Sequence, residues 1–222
     1  MNNISIIPIN NLPEFEPKYD LADEIVKSFS SNNFVLKDKD VIVITQKIVS
    51  KVEDRLIKND NESIEKLIQQ ESLEILRKRG DTVIARTKHG FICANAGIDK
   101  SNIEKGSVLL LPEDPDKTSR DIRKKIEHVT NKKISIIISD TFGRAWRKGQ
   151  TNVAIGSSGI EPLESYIGKK DAFDNELFAT EIAIIDELAG AAELVMKKSD
   201  NIPVAIIRGC LLYTSDAADD IG

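Results

Sequence analysis

The chain has 222 residues, 41% of them hydrophobic and 30% charged, which is enough apolar material for one sizeable core or two small ones and excludes a disordered chain. The formal net charge of -5 argues against nucleic acid or an anionic membrane as a partner, because both reward a basic surface. Two cysteines, Cys93 and Cys210, draw no disulfide framework or zinc-finger spacing, and no signal peptide or apolar run of about 20 residues is visible, so the cytoplasm is the expected compartment.

The first predicted strand covers residues 4–9 and is broken by Pro8; a turn-rich loop follows, in which Pro13 and Pro17 bar a regular helix. Asp20 is placed to cap a helix carrying Leu21, Ile25, Val26 and Phe29 on one face, with Asp23 and Glu24 in its first turn. Residues 41–44 read as a buried strand that empties into Thr45, Gln46, Lys47, Ser50 and Lys51. By themselves Lys47 and Lys51 are better explained as ordinary surface lysines than as phosphate contacts. Residues 61–79 read as one charged amphipathic helix with Ile64, Leu67, Ile68 and Ile75 on its apolar side. Two strands, 82–86 and 91–95, are expected around a turn holding His89, which is expected to face solvent.

Beyond that turn, Gly97 permits an unusual backbone angle, and Asp99 and Asn102 carry oxygens that can converge from one tight loop. Such a loop most often bonds to itself, so its meaning depends on whether it meets Asp140 in space. Residues 108–111 predict a strand. A rigid acidic loop follows, in which Asp116 or Thr118 can cap a helix carrying Ile122, Ile126 and Val129.

The most informative stretch is 134–156. Residues 134–138 form an apolar, β-branched run of strand length, and then Ser139, Asp140 and Thr141 are followed by Gly143, Arg144, Trp146, Arg147 and Lys148. A carboxylate and a hydroxyl at a strand end, with three cations beyond, suit a metal ion and phosphates; a solvated basic loop is the competing explanation. A basic loop on an acidic protein favours a small anionic ligand over a polymer. After a short buried segment at 153–155 and an irregular polar stretch to Asn175, Phe178, Ile182, Ile185, Ala189, Ala192 and Met196 fall on one face of a long predicted helix. Asp186, Glu187 and Glu193 lie off that stripe and are expected in solvent. Residues 203–207 predict the last strand.

The tail CLLYTSDAADDIG continues neither helical periodicity nor strand alternation, and it resembles a read-through translation of a sequencing-library adapter. The expected organisation is one domain over 1–209, truncated at its C-terminus, and a non-native tail over 210–222. Strands and helices mix irregularly, which predicts an α/β (mixed α+β) fold with mixed sheets and packed helices. Walker A, strand-borne GxGxxG, HExxH, GxSxG and CxxC patterns are absent, which argues against a P-loop or Rossmann fold.

In chain order, NNLPEF, ITQKIVSK, KHGFICANAGIDKSN, LLPEDPD, IISDTFGRAWRKGQTNVAIGSSGI, DELAGAAELVM and IPVAIIRG resemble the coenzyme F420:L-glutamate ligase (F420-0 gamma-glutamyl ligase) family, with NAGIDKSN and SDTFGR together the most specific pair. The resemblance implies a GTP-dependent amide ligase that joins L-glutamate to the carboxylate of F420-0 through an acyl phosphate, with a further γ-linked glutamate possible. It also implies an unusual α/β fold forming an intertwined homodimer, Mn2+ or Mg2+, and a helpful K+. By resemblance Asp99 and Asp140 ligate one metal, Thr141 contacts a second, and Gln46, Lys47, Lys51 and Asn102, with Leu12, Pro13, Glu14 and Phe15, contact the nucleotide. Residue chemistry adds Arg144, Arg147 and Lys148 as candidates for holding the substrate phosphate or the migrating phosphoryl group. The family's further nucleotide and metal contacts beyond IPVAIIRG are replaced by the tail, so weak or absent ligase activity is expected of the chain as it stands. Two alternatives remain open: a non-catalytic nucleotide- or metal-binding module, and a metal-dependent phosphohydrolase, since Asp99, Asp140 and Thr141 do not dictate the acceptor.

Overall fold

The computed structural model describes residues 3–58, 64–101 and 103–210. Its elements in chain order are β1 (Ser5–Ile9), α1 (Leu21–Ser31), β2 (Val41–Thr45), α2 (Gln46–Val52), β3 (Leu56–Lys58), α3 (Ile64–Glu71), β4 (Ser72–Arg79), β5 (Thr82–Thr87), β6 (Ile92–Ala94), β7 (Ser107–Leu109), α4 (Pro115–Thr130), β8 (Ser135–Arg144), β9 (Arg147–Ser158), β10 (Leu163–Ser165), β11 (Glu181–Ala183), α5 (Ile184–Met196) and β12 (Val204–Arg208).

Five strands make the central sheet in the order β1-β12-β2-β8-β9, with β2 and β8 parallel and the other neighbours antiparallel. Strand alternation sorts its side chains onto two covered faces. Ile42, Ile44, Ile136, Ile138, Val204 and Ile206 join a core with Ile25 and Phe29 of α1 and Ile122 and Ile126 of α4. Val41, Val43, Ile137, Ala205 and Ile207 meet Leu188, Ala189, Ala192 and Met196 of α5 on the other side. A strand covered on both faces needs an unbroken apolar run rather than alternation, which is what Ile136-Ile137-Ile138 supplies. The result is the mixed α+β architecture expected from the sequence.

Both expected helix starts hold in outline. Asp20 accepts a hydrogen bond from the Asp23 N–H and caps α1. At α4 the cap is Asp114, which accepts from the Lys117 N–H with Pro115 in the first turn, rather than Asp116 or Thr118. Those two are committed elsewhere: Asp116 accepts from the Ser157 N–H and Thr118 donates to Glu53. Val129 is exposed, not part of the core.

A smaller sheet, β4-β5-β6, packs with α3 around Leu67, Ile68, Val83, Ala85, Ala96, Ile98, Val108 and Leu110. Here the expected helix over 61–79 is corrected. It ends at Glu71, and Ser72–Arg79 pairs antiparallel with β5 as β4. The edge of β5 needs a partner for its backbone groups, and that tertiary demand overrides the helical propensity of this charged segment. Residues 61–63 of that expectation lie outside the described residues.

Two further boundaries move. The strand predicted over 134–138 continues to Arg144 and turns back as β9, so Asp140 and Thr141 lie within a strand instead of after it. Phe178 and Ile182 do not belong to α5: the helix begins at Ile184, Ile182 pairs in β11, and Phe178 is exposed. Among the described residues no helix is long and apolar enough to cross a membrane. Cys210 packs against the α5-side core; the remainder of the 210–222 tail lies outside the described residues.

The contact between β9 and α4 is tight at one glycine. A β-carbon on Gly156 would lie 2.5 Å from the Pro115 carbonyl carbon, a backbone atom that cannot yield without moving the start of α4. Gly156→Ala is expected to destabilise by about 2–3 kcal/mol, read as a lower urea midpoint at unchanged slope. Gly143→Ala, with open space around the new methyl, is the control and is expected to stay within about 0.5 kcal/mol.

Candidate active site

Strand β2 ends at Thr45 and α2 starts at the next residue, while Thr45 lies opposite Ser139 in the parallel ladder. The first turn of α2 therefore lies beside the residues of β8 that follow Ser139, at the end of the parallel ladder where β2 stops and β8 runs on. The register with β9 slips between Ile138 (opposite Gly156) and Ser139 (opposite Ala154), a bulge that re-aims the side chains beyond it. Past this slip Asp140 opposes Val153 and Thr141 opposes Asn152.

Asp99 arrives from the other direction. Asn95, Ala96 and Gly97 all adopt left-handed backbone, with φ of 52°, 54° and 74°. Gly97 is required there because a β-carbon would lie 2.6 Å from Leu111 Cδ1. The Asn95 side chain accepts from the Val83 N–H, and the Asp99 backbone exchanges two 2.9 Å hydrogen bonds with Leu109. Asp99 Oδ1 accepts from the Ser101 N–H at 2.7 Å, and Oδ2 pairs with the Lys47 ammonium.

The two carboxylates feel different surroundings. Burial pushes the Asp99 carboxyl up, but the hydrogen bond and charge of Lys47 and the Ser101 N–H outweigh it, leaving its pKa below the usual value. Among the described residues Asp140 makes no ion pair like that of Asp99 with Lys47. Burial drives its pKa up to about 6, against the pull of the Thr141 N–H, Lys47 and Lys198, and the nearby Asp99 charge adds to the rise. Asp140 keeps some exposed surface as a residue, while desolvation dominates at its carboxyl. Asp99, Lys47 and Asp140 thus form one electrostatic cluster, and the buried Cys93 thiol is pushed up to about 11 by burial and by Asp140.

A cleft opens beside this cluster, between the 12–15 loop, the start of α2 and the end of α5. Leu12, Pro13, Glu14, Phe15, Lys47 and Lys51 line it, together with Glu193, Lys197 and Lys198. Lys51 pairs with Glu14, and Lys197 with Asp200 at 3.1 Å. Four lysines converge here, each beside a carboxylate (Asp99, Glu14, Asp200 and Glu193 respectively), and ammonium groups gathered at one cleft suit a phosphate-bearing ligand that takes over their pairing.

Of the residues expected at the site, Leu12, Pro13, Glu14, Phe15, Lys47, Lys51, Asp99, Asp140 and Thr141 are brought into this neighbourhood. The Gln46 side chain is fully buried, accepts from Ser50 Oγ at 2.8 Å, and does not line the cleft. Its Nε2 has no partner among the described residues. Asn102 lies outside the described residues. Arg144, Arg147 and Lys148 sit at the exposed tip of the β8-β9 hairpin, about 13 Å or more along the strand from Asp140. Arg144 donates to the Lys148 carbonyl at 2.9 Å, and the cleft lining contains none of the three.

Three side chains given no role by the sequence gather between Thr141 and the end of α5. Asn152, 4% exposed, accepts from the Thr141 hydroxyl at 2.6 Å and donates to Glu193 Oε2 at 2.9 Å. Lys198 donates to Thr141 Oγ1 and lies 3.6 Å from Glu193. The hairpin register is the signal that reveals Asn152, once β8 is known to run through Thr141. Glu193 and Asp186 are not simply solvated: Asp186 accepts from the Ala154 N–H at 2.8 Å. Nor does His89 merely face solvent, since its Nε2 lies 2.8 Å from the Pro112 carbonyl oxygen and its ring stacks on Phe91.

Among the described residues no three His, Cys, Asp or Glu side chains gather into a cluster. Two carboxylates and the Thr141 hydroxyl are hard oxygen donors, and Asp140, whose carboxyl is desolvated even with Lys47 and Lys198 nearby, fits a divalent cation.

The family model of F420-0:Gamma-glutamyl ligase matches residues 10–209. A coenzyme F420:L-glutamate ligase of Methanococcus maripaludis (strain C7) is 44% identical over 216 residues, covering 89% of this chain and 84% of the relative. The protein of the same name from Methanocaldococcus jannaschii is 44% identical over 194 residues, covering 79% and 78%. That of Methanothermobacter thermautotrophicus is 37% identical over 224 residues, covering 93% and 89%. With the family model and relatives of this similarity spanning most of its length, the chain belongs to the F420-0:gamma-glutamyl ligase family.

Proposed function

We propose that the chain joins the amino group of L-glutamate to the carboxylate of F420-0 at the expense of GTP, through an acyl phosphate, and that a second γ-linked glutamate can follow. That it is a ligase of coenzyme F420 biosynthesis follows from its family. The observation that carries the finer reading is the lysine-lined cleft whose Lys47 pairs with Asp99 and, with Lys198, acts on the Asp140 carboxyl. A carboxylate oxygen is a poor leaving group; transferring the GTP γ-phosphoryl to it makes one that leaves as phosphate when the amine attacks. Such a transfer asks for positioning and charge neutralisation rather than a protein nucleophile, and the ammonium groups and oxygen donors gathered here supply them. Lys47 and Lys51 would hold phosphate oxygens, and Asp99, Asp140 and Thr141 would hold Mn2+ or Mg2+. A bound divalent ion would neutralise phosphate charge there. K+ is proposed as a further activator.

A homodimer is also proposed. Trp146, Phe173 and Phe178 are almost wholly exposed, as apolar rings awaiting a partner surface would be. Arg144, Arg147 and Lys148 would grip the F420-0 phosphate only if the substrate extends outward, or a second copy's cleft comes to the tip. Light scattering is expected to give twice the 24.6 kDa chain mass; a monomer at micromolar concentration would remove that part.

Incubation with GTP, Mn2+, F420-0 and glutamate tests the reaction in this chain, for which weak or absent turnover is expected, and in a version carrying a relative's segment in place of the tail, for which the glutamylated product is expected by mass spectrometry and is compared with ATP in place of GTP. Phosphate release that does not need glutamate would select a phosphohydrolase. Tight GTP binding with no turnover in a full-length version, with the tail replaced, would select a non-catalytic module.

A further inference from the structure

We infer that Asn152 is a positioning residue for the cation site: it claims the single proton of the Thr141 hydroxyl and so keeps that oxygen an acceptor toward a divalent ion. This rests on the proposed binding of Mn2+ or Mg2+ at Asp99, Asp140 and Thr141, and it says how the chain prepares one of those donors.

A hydroxyl is an ambiguous ligand. It carries one proton and two lone pairs and turns about its C–O bond, so it meets a cation well only when the proton is held elsewhere. Here the Thr141 O–H donates to Asn152 Oδ1 at 2.6 Å. Toward any other neighbour Thr141 Oγ1 is therefore an acceptor, and the Lys198 ammonium does donate to it. A positive group resting on this oxygen shows which sign of charge the arrangement favours.

The amide is fixed in its turn. Asn152 Nδ2 donates to Glu193 Oε2 at 2.9 Å, and a carboxylate offers no proton in return, so turning the amide over would set oxygen against oxygen. Asn152 is only 4% exposed, so its two bonds are not readily exchanged for bonds to water. Glu193 is kept over β9 by the packing of α5, whose Asp186, two turns earlier on the same face, accepts from the Ala154 N–H at 2.8 Å.

The ladder explains why an amide stands here at all. With Ile138 opposite Gly156, an unbroken register would put Val153 opposite Thr141; the slip after Ile138 puts Asn152 there instead. Val153 then falls opposite Asp140, where it packs against the main core. One bulge thus gives the hydroxyl a polar partner and the desolvated carboxyl an apolar one.

Calorimetric titration of the chain with Mn2+ alone tests the role, with urea unfolding of each variant alongside. Thr141→Val is expected to weaken Mn2+ binding by about 10-fold or more, and Asn152→Ala, which keeps the hydroxyl but frees its proton, by about 10-fold. The double variant should stay within about 2-fold of Thr141→Val, because Asn152 then has nothing to orient. Glu193→Gln removes a charge but still accepts from Asn152, and should stay within about 3-fold of the parent. Glu193→Leu, at a partly exposed position, also removes the acceptor and should cost about 5-fold. Unchanged Mn2+ affinity in Asn152→Ala, whatever its urea midpoint, overturns the inference, as do losses that multiply in the double variant. No effect of Thr141→Val overturns it too, while leaving a cation at Asp99 and Asp140 standing. If the unsubstituted chain takes up no Mn2+, the cation reading and the inference fall together.

Discussion

Asp140→Asn is expected to lower ligation by about 10³-fold or more, while making the metal-free protein more stable than the parent above about pH 6. The two effects share one cause. Burial raises the Asp140 pKa from 3.8 to about 6 against the opposing Thr141 N–H, Lys47 and Lys198, with Asp99 adding to the rise. The folded chain therefore binds this proton more tightly than the unfolded chain does. Below about pH 4 both states are protonated and nothing is lost. Between about pH 4 and 6 the unfolded carboxyl ionises first, and folded stability falls as pH rises. Above about pH 6 the whole penalty is present, about 2–3 kcal/mol for a shift of this size. Asparagine has nearly the same shape and no charge, so it escapes the penalty but provides a much weaker cation ligand. Urea unfolding with chelator at pH 4.5 and pH 8 reads the gap between variant and parent, which should widen with pH. A gap independent of pH would mean that the carboxyl ionises as freely as in water, and the case for a charge-starved site would be lost.

The central sheet was legible because each of its inner strands carries a run of β-branched residues too short for a helix, as in 41–44, 134–138 and 203–207. The α1 cap was legible because Asp20 precedes an apolar stripe of the right period. Ser72–Arg79 was not, since its alternation of Leu73 and Ile75 with charged residues is weak and its strand state depends on pairing with the distant β5. The extension of β8 past Ile138 was hidden for a related reason. Polar residues and glycine suggest a loop, and only the matching length of β9 keeps them in a ladder. At the site, the loop around Asp99 and the strand end at Asp140 were each visible as oxygen-rich segments. That Lys47 joins them follows from the Thr45–Ser139 register, which no local pattern encodes. Lys198 was missed because it lies just past the end of a helix whose stripe drew attention to its apolar side.

Asp99→Asn is expected to act with the opposite sign on stability, lowering it by about 2 kcal/mol at neutral pH, and to reduce ligation by about 10²-fold or more. The Asp99 pKa is lowered on folding, because Lys47 and the Ser101 N–H outweigh burial. Its contribution is therefore fully present above the unfolded value of 3.8 and is lost only as pH falls through the lower folded value. Between pH 4.5 and 8 the deficit of Asp99→Asn should stay nearly constant, in contrast to the widening gap at Asp140. The deficit arises less from the lost attraction than from the Lys47 ammonium left partly buried without its counter-charge, its side chain being only 14% exposed. It follows that Lys47→Met should also destabilise, and that the double variant should recover about 1 kcal/mol or more relative to the sum of the two. Simple additivity would mean that Lys47 and Asp99 do not act as a pair. The loop carrying Asp99 would then have no energetic tie to the ends of β2 and β8, and the shared site on which ligation depends would have to be sought elsewhere.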